Sequence, residues 1–270
     1  MQSSLTDHIS ETVDAPEWPG ERCLSLTVRG PWGHFRRVDG NTVKATYRIM
    51  PRTTVAGLLA AVAGYDRDSY YGLFGPEVSA IAIEPRGELR TLNLPQNSLT
   101  TSYEGLKSVN ARGKVSVYYP DPTHDRQRSN YEVLVDPAYR IDVWLDDSNA
   151  YRHLRSMLRE GRSHYVPSLG LSEHLATVEY HGEHAIERLD GETTWIDSAV
   201  PEPTAVIPEE GRTHGTERSP AFMERTTGRG EFSGRRTTEY VTYAYSHSGS
   251  QLHVRDAPAA RVDGRNVVFV

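Results

Sequence analysis

The residues able to do chemistry crowd into one stretch, Val28 to Gly64, which reads VRGPWGHFRRVDGNTVKATYRIMPRTTVAGLLAAVAG. Arg29, Trp32, His34, Arg36, Arg37, Lys44, Tyr47, Arg48 and Arg52 all fall within it. Residues 20–60 carry seven Arg or Lys against two acids, Glu21 and Asp39, an excess of five in a chain whose net charge is −6. Such a patch on an acidic protein asks for an anionic partner. Rings set among the cations point to RNA, because bases stack on aromatic faces and Arg planes while phosphates take the charge. A second interval, residues 105–119, holds Lys107, Arg112 and Lys114 and no acid.

The same residue types could cut RNA without a metal. A His or Tyr would act as general base on a 2′-hydroxyl, and a Lys or Arg would hold the phosphate. Tyr47, His34 and Lys114 or Arg112 supply those types. The competing reading gives Tyr47 a stacking or packing role, His34 a phosphate or a turn, and the cations pure electrostatics. It is the one carried forward. No phosphate loop of the GxxxxGK[ST] kind and no GxSxG elbow occurs, so no cofactor is expected. There are eleven histidines. The tightest pair, His181 and His184, has no Cys pair and no HExxH helix beside it, so these read as surface histidines and no metal is expected. Cys23 is the only cysteine and reads as a buried hydrophobe in a reducing compartment.

The elements that must position these residues follow from periodicity. Residues 22–29 alternate, with Leu24, Leu26 and Val28 on one side, and read as a half-buried strand broken by Gly30-Pro31-Trp32-Gly33. Residues 53–63 read as a helix capped by Thr53 or Thr54 and ended by Gly64. Gly57 inside it implies close packing on a sheet. Val78–Glu84 is a second strand. Residues 95–130 read as a polar, protruding hairpin with its tip at Asn110–Gly113. Residues 131–135 and 138–145 are strands, and a helix capped by Asp147 or Ser148 runs to about Glu160. The order through residue 160 is β-α-β-(hairpin insertion)-β-α, which a following strand would complete as the split βαβ, ferredoxin-like order. The fold class is therefore α+β. A ferredoxin-like (RRM-like) domain spans 21–164 with a long β-hairpin thumb at about 95–130, and a smaller β-rich domain spans 165–270. Residues 1–20 read as a flexible leader and 208–236 as a mobile loop. The leader is no signal peptide and no apolar run is long enough to span a bilayer, so a cytoplasmic protein is expected.

Two segments resemble a known family. GPWGHFRR followed by TYRIMPRTTVAGLLAAVAG, and later Tyr165-Val-Pro-Ser-Leu-Gly-Leu-Ser-Glu173, are similar to the fifth CRISPR-associated (Cas) protein family. These are RAMP-type subunits that cap the 5′ end of the guide RNA in type I Cascade complexes. The resemblance implies binding of the crRNA 5′ handle by the cationic stretch and a thumb bearing Lys107, Arg112 and Lys114. It also implies contacts with the Cascade backbone and large subunits, and with target DNA only indirectly. One branch of the family is a crRNA-processing endoribonuclease that uses a Tyr before the helix and a Lys-His pair. Tyr47 matches the first, but no Lys-His dipeptide occurs here. The resemblance is therefore to non-catalytic members, as in type I-B systems.

Overall fold

Residues 20–37, 43–99, 107–109, 115–117, 126–226 and 234–270 are described in this computed structural model. The leader (apart from Gly20), the hairpin tip at 110–113 with Arg112, and Lys114 lie outside them. β1 (Arg22–Arg29) forms where the alternation places it. It is covered on both faces, however: Ser25 is as buried as Leu24 and Leu26. Short strands β2 (Trp32–Gly33) and β3 (Val43–Lys44) follow, then α1 (Arg52–Ala63). Pro51 takes the cap position of α1 with no side-chain bond, so neither Thr53 nor Thr54 caps it. Gly64 ends the helix at φ 83°, a left-handed conformation that glycine adopts without cost. Gly57 faces not a sheet but a tyrosine: a Cβ there would stand 3.1 Å from the Tyr70 hydroxyl.

β4 (Ser79–Pro85) precedes a long ribbon. Its rails are β5 (Arg90–Leu99) and β8 (Arg126–Val135), paired antiparallel from Arg90–Val135 to Leu99–Arg126 without a break. Between them, β6 (Lys107–Val109) and β7 (Val115–Val117) pair with each other. β9 (Ala138–Leu145) then leads into α2 (Ser148–Arg159), whose cap is Asp147, with its carboxylate accepting from the N–H groups of Asn149 and Ala150. β10 (Thr177–Ala185) completes a four-stranded sheet in the order β10-β1-β9-β4, every pairing antiparallel. Both helices contribute to one core with β1, β4 and β9.

After β10 the described elements are strands, apart from one 3-10 turn at Pro203–Ala205. β11 (Glu187–Arg188), β12 (Thr193–Ile196), β13 (His214–Thr226) and β14 (Gly234–Ser246) are followed by β15 (Leu252–Arg255), β16 (Ala259–Val262) and β17 (Arg265–Val268). The stretch 208–236, which reads as a mobile loop, is mostly structured. β13 and β14 form a hairpin of two 13-residue strands, and residues 227–233 lie outside the described ones. Gly, Thr and Arg hid β13, because its partners are across the hairpin and on α1 rather than in its own sequence. Tyr243 and Tyr245 of β14 belong to the same core as β1 and α1, while Ile196, Val200, Leu252 and Val254 make a smaller one. Val262 and Val267 of the β16–β17 hairpin pack on Cys23 and Ala82, which is why β1 is covered twice. Arg265 seals that contact, donating to both Asp142 oxygens at 2.8 and 2.9 Å and to Glu84 at 2.7 Å.

Candidate nucleic-acid interface

The two motifs meet in space through residues 135 positions apart in sequence, His34 and Leu169. The N–H of His34 donates to the carbonyl of Leu169 at 3.0 Å, and Leu169 donates in turn to His174 at 2.8 Å. Gly170 follows with φ 94°, and a Cβ on it would stand 1.9 Å from the His34 carbonyl oxygen. The Leu-Gly pair therefore serves packing: Leu169 is fully buried and Gly170 lets two backbones touch.

Glu132, on β8, holds the other side of this junction. Its backbone carbonyl accepts from His34 Nδ1 at 2.7 Å. A carbonyl only accepts, so Nδ1 carries the proton and Nε2 is left an acceptor. Burial lowers the His34 pKa, which favours the neutral ring. The Glu132 carboxylate takes the Thr46 N–H at 3.1 Å and the Arg48 guanidinium at 2.8 Å. Burial works to raise its pKa, but these bonds outweigh it and hold the carboxyl below its ordinary value.

Arg48 and Ile49 are also gripped from the β13–β14 hairpin. The Glu217 carboxylate accepts from their N–H groups at 2.7 and 3.1 Å. The Tyr139 hydroxyl donates to the Arg48 carbonyl. Burial raises the Glu217 pKa despite the two N–H donors and the nearby guanidinia of Arg48 and Arg37. A carboxyl whose folded pKa lies above its unfolded one costs stability once it ionises, so stability falls as pH rises from the unfolded pKa through the folded one. Glu217→Gln keeps an acceptor oxygen and should flatten this fall. Glu217→Ala should cost about 2 kcal/mol, because it orphans two partly or fully buried N–H groups. Thermal unfolding of both variants across the acidic range checks the pair.

The cationic stretch divides sharply once placed. Arg29, at the end of β1, and Arg36 are exposed. Trp32, Arg37 and Lys44 are half-buried, with the Arg37 guanidinium 5.5 Å from the Tyr47 ring centre. Four residues read as RNA contacts are turned inward. Tyr47 and His34 are buried, Arg48 is committed to Glu132, and Arg52 is 1% exposed. The Arg52 guanidinium donates to the carbonyls of Val270, Phe74 and Ser79 and to the Ser79 hydroxyl, and lies 4.1 Å from the Phe222 ring centre. Its charge serves the fold. Lys107 has its backbone in β6, while Arg112 and Lys114 lie outside the described residues.

Of the exposed Arg29 and Arg36, Arg36 borders a cleft of about 410 Å³. Its walls are the His34–Arg36 segment, the first turns of α1, the 166–171 loop and the inner face of the β13–β14 hairpin. Thr53 and Thr54, freed from capping, line it together with Arg235 of β14. No Asp or Glu is among the lining residues described. Arg235 escaped the sequence reading because Gly-Arg-Arg beside a Gly/Thr run looks like loop; the alternation of 237–243 was the available signal. Among the described residues no three His, Cys, Asp or Glu side chains gather as metal ligands.

Residues 23–205 match the family described as CRISPR-associated protein (Cas_Cas5), a span that covers most of the chain. The chain belongs to the Cas5 family. No curated protein matches it in sequence. Among solved structures it is similar to a CRISPR protein from Archaeoglobus fulgidus, with a TM-score of 0.54, 15% identity, and 92% of this chain and 98% of that one covered. It is also similar to a chain of a CRISPR RNA-guided surveillance complex, with a TM-score of 0.47, 14% identity, and 87% and 91% covered. The Archaeoglobus likeness establishes the fold, which is mostly β with few helices. The Cas5 match includes both the His34 segment and the Leu169-Gly170 pair, the two sides of the junction. Among the described residues no helix is long and apolar enough to cross a membrane.

Proposed function

We propose that this chain is a non-catalytic, RNA-binding subunit of a type I CRISPR Cascade complex, and that it holds the 5′ handle of the crRNA. Membership of the Cas5 family is the observation that carries the reading. The acid-free cleft with exposed Arg36 and Arg235 beside the family's two motifs supports it, and Arg29 is a further exposed cation at the end of β1. The strand–helix–strand–strand–helix–strand sheet is read as the ferredoxin-like domain, and the β5–β8 ribbon with β6 and β7 as the thumb, to which the sequence assigns Lys107, Arg112 and Lys114. On this reading the thumb meets the neighbouring backbone subunit, another face meets the large subunit, and target DNA is reached only through the assembly, in the cytoplasm. A type I-B setting, with a separate processing nuclease, fits the missing Lys-His pair. The buried Tyr47 favours a scaffold over a nuclease.

Affinity purification of the chain from its own cells tests the reading. Guide RNA and further CRISPR subunits should come with it, and recovery free of both would overturn the proposal. The purified chain should leave repeat RNA uncut in EDTA, whereas a specific cut would restore the nuclease reading. Phosphate contacts make binding salt-dependent, so Arg36→Ala should lower the log–log salt slope by about 1.

A further inference from the structure

The cleft is the wrong shape for a backbone contact alone. Phosphate binding needs only an exposed cation, but this is a recess of about 410 Å³. That volume falls within the ~300–1,000 Å³ typical of sites that enclose a small organic group. Its walls are of two kinds. Leu58, Tyr70, Leu171 and Met223 give apolar area, while Arg36 and Arg235 are its only formal charges among the described lining residues. Thr53, Thr54 and Thr237 add hydroxyls to the lining. Apolar walls, two cations and hydroxyls with no acid match a nucleotide: a flat ring joined to a phosphate.

We infer that one nucleotide of the bound RNA is turned out of the strand and seated in this cleft, its base between α1 and the 166–171 loop and its phosphate against Arg36 and Arg235. The inference rests on the RNA-binding reading above and adds a discrete subsite to it. It gives the β13–β14 hairpin a task, since Arg235 and Thr237 form the wall that closes the recess over α1. It also gives a reason for Gly57 beyond helix packing. A side chain there would enter the recess beside the Tyr70 hydroxyl.

The test pairs an abasic scan with a filled cleft. The probe is a synthetic RNA of the repeat-derived 5′ handle from the protein's own CRISPR array, with one base removed at a time. With the unaltered protein, one position should lose about tenfold in affinity, the value of a stacked base. Thr237→Trp, which fills the recess, should bind intact RNA about tenfold more weakly and no longer sense that abasic position. Arg36→Ala with Arg235→Ala should weaken binding but keep the abasic penalty. If Thr237→Trp unfolds, Thr53→Phe fills the recess from the opposite wall. A filled cleft that binds intact RNA normally, or that keeps the abasic penalty, overturns the subsite and leaves the RNA-binding reading standing. Normal RNA binding with failed subunit assembly also overturns it, and assigns the recess to a protein side chain. If the unaltered protein does not bind the handle RNA, the reading beneath falls with it.

Discussion

Gly170→Ala should lower the midpoint of thermal unfolding by roughly 6 °C or more, an effect far larger than a surface substitution gives. Two costs add. A residue with a Cβ at φ 94° is strained, at about 1–2 kcal/mol. The Cβ would also stand 1.9 Å from the His34 carbonyl oxygen, so one backbone must move away from the other. That movement breaks the His34-to-Leu169 hydrogen bond of 3.0 Å, worth about 1 kcal/mol, and loosens a buried leucine. Gly211→Ala isolates the first cost. Gly211 has φ 75° but nothing within 4 Å, so its substitution should cost only about 1 kcal/mol. Equal midpoints for the two variants would mean that the junction of the two motifs is not close-packed. Gly170→Ala should also weaken RNA binding, since the displaced segments form two walls of the cleft.

Arg52→Ala should destabilise the fold by about 3 kcal/mol without changing the salt dependence of RNA binding. The estimate weighs opposing terms. Removing the guanidinium relieves the cost of burying a charge, a cost large enough to push its pKa down to about 10. Against that, three carbonyls and the Ser79 hydroxyl lose their donors, and Phe222 loses the group stacked on its ring. Carbonyls drawn from Phe74, Ser79 and Val270 cannot regroup around an alanine, so the loss outweighs the relief. Arg52→Met restores volume but no donor, and should fall between the two. Chemical denaturation measures the stability and filter binding at several salt concentrations measures the slope. A fully stable Arg52→Ala protein with a reduced slope would return Arg52 to the RNA surface.

Arg36 and Arg52 show where sequence reading stops. Both are arginines in one cationic stretch, and charge counting treats them alike. One is exposed and the other is filled with contacts from residues 22, 27 and 218 positions away. Composition detects a guanidinium but not its partner. Local signals did better: the alternation of β1, the Gly64 stop and the Asp147 cap depend on neighbours within a few residues, and each is legible without the fold. Gly57 could be seen to need a neighbour, though Tyr70 could not be named. β13 and the first residues of β14 were missed because their burial comes from across the molecule, and Arg235 was missed with them. His34 was singled out for chemistry, and the structure uses it first as a tie to Glu132 and Leu169.

The central claim is that exposed arginines around the junction of the two motifs grip RNA, while Arg48 and Arg52 hold the protein together. It is tested most directly by the salt dependence of handle-RNA binding to a triple variant, Arg29→Ala, Arg36→Ala and Arg235→Ala. The account predicts a fully folded protein whose log–log slope has dropped by about 2–3, with affinity falling accordingly. An unchanged slope and affinity in that folded variant would contradict it.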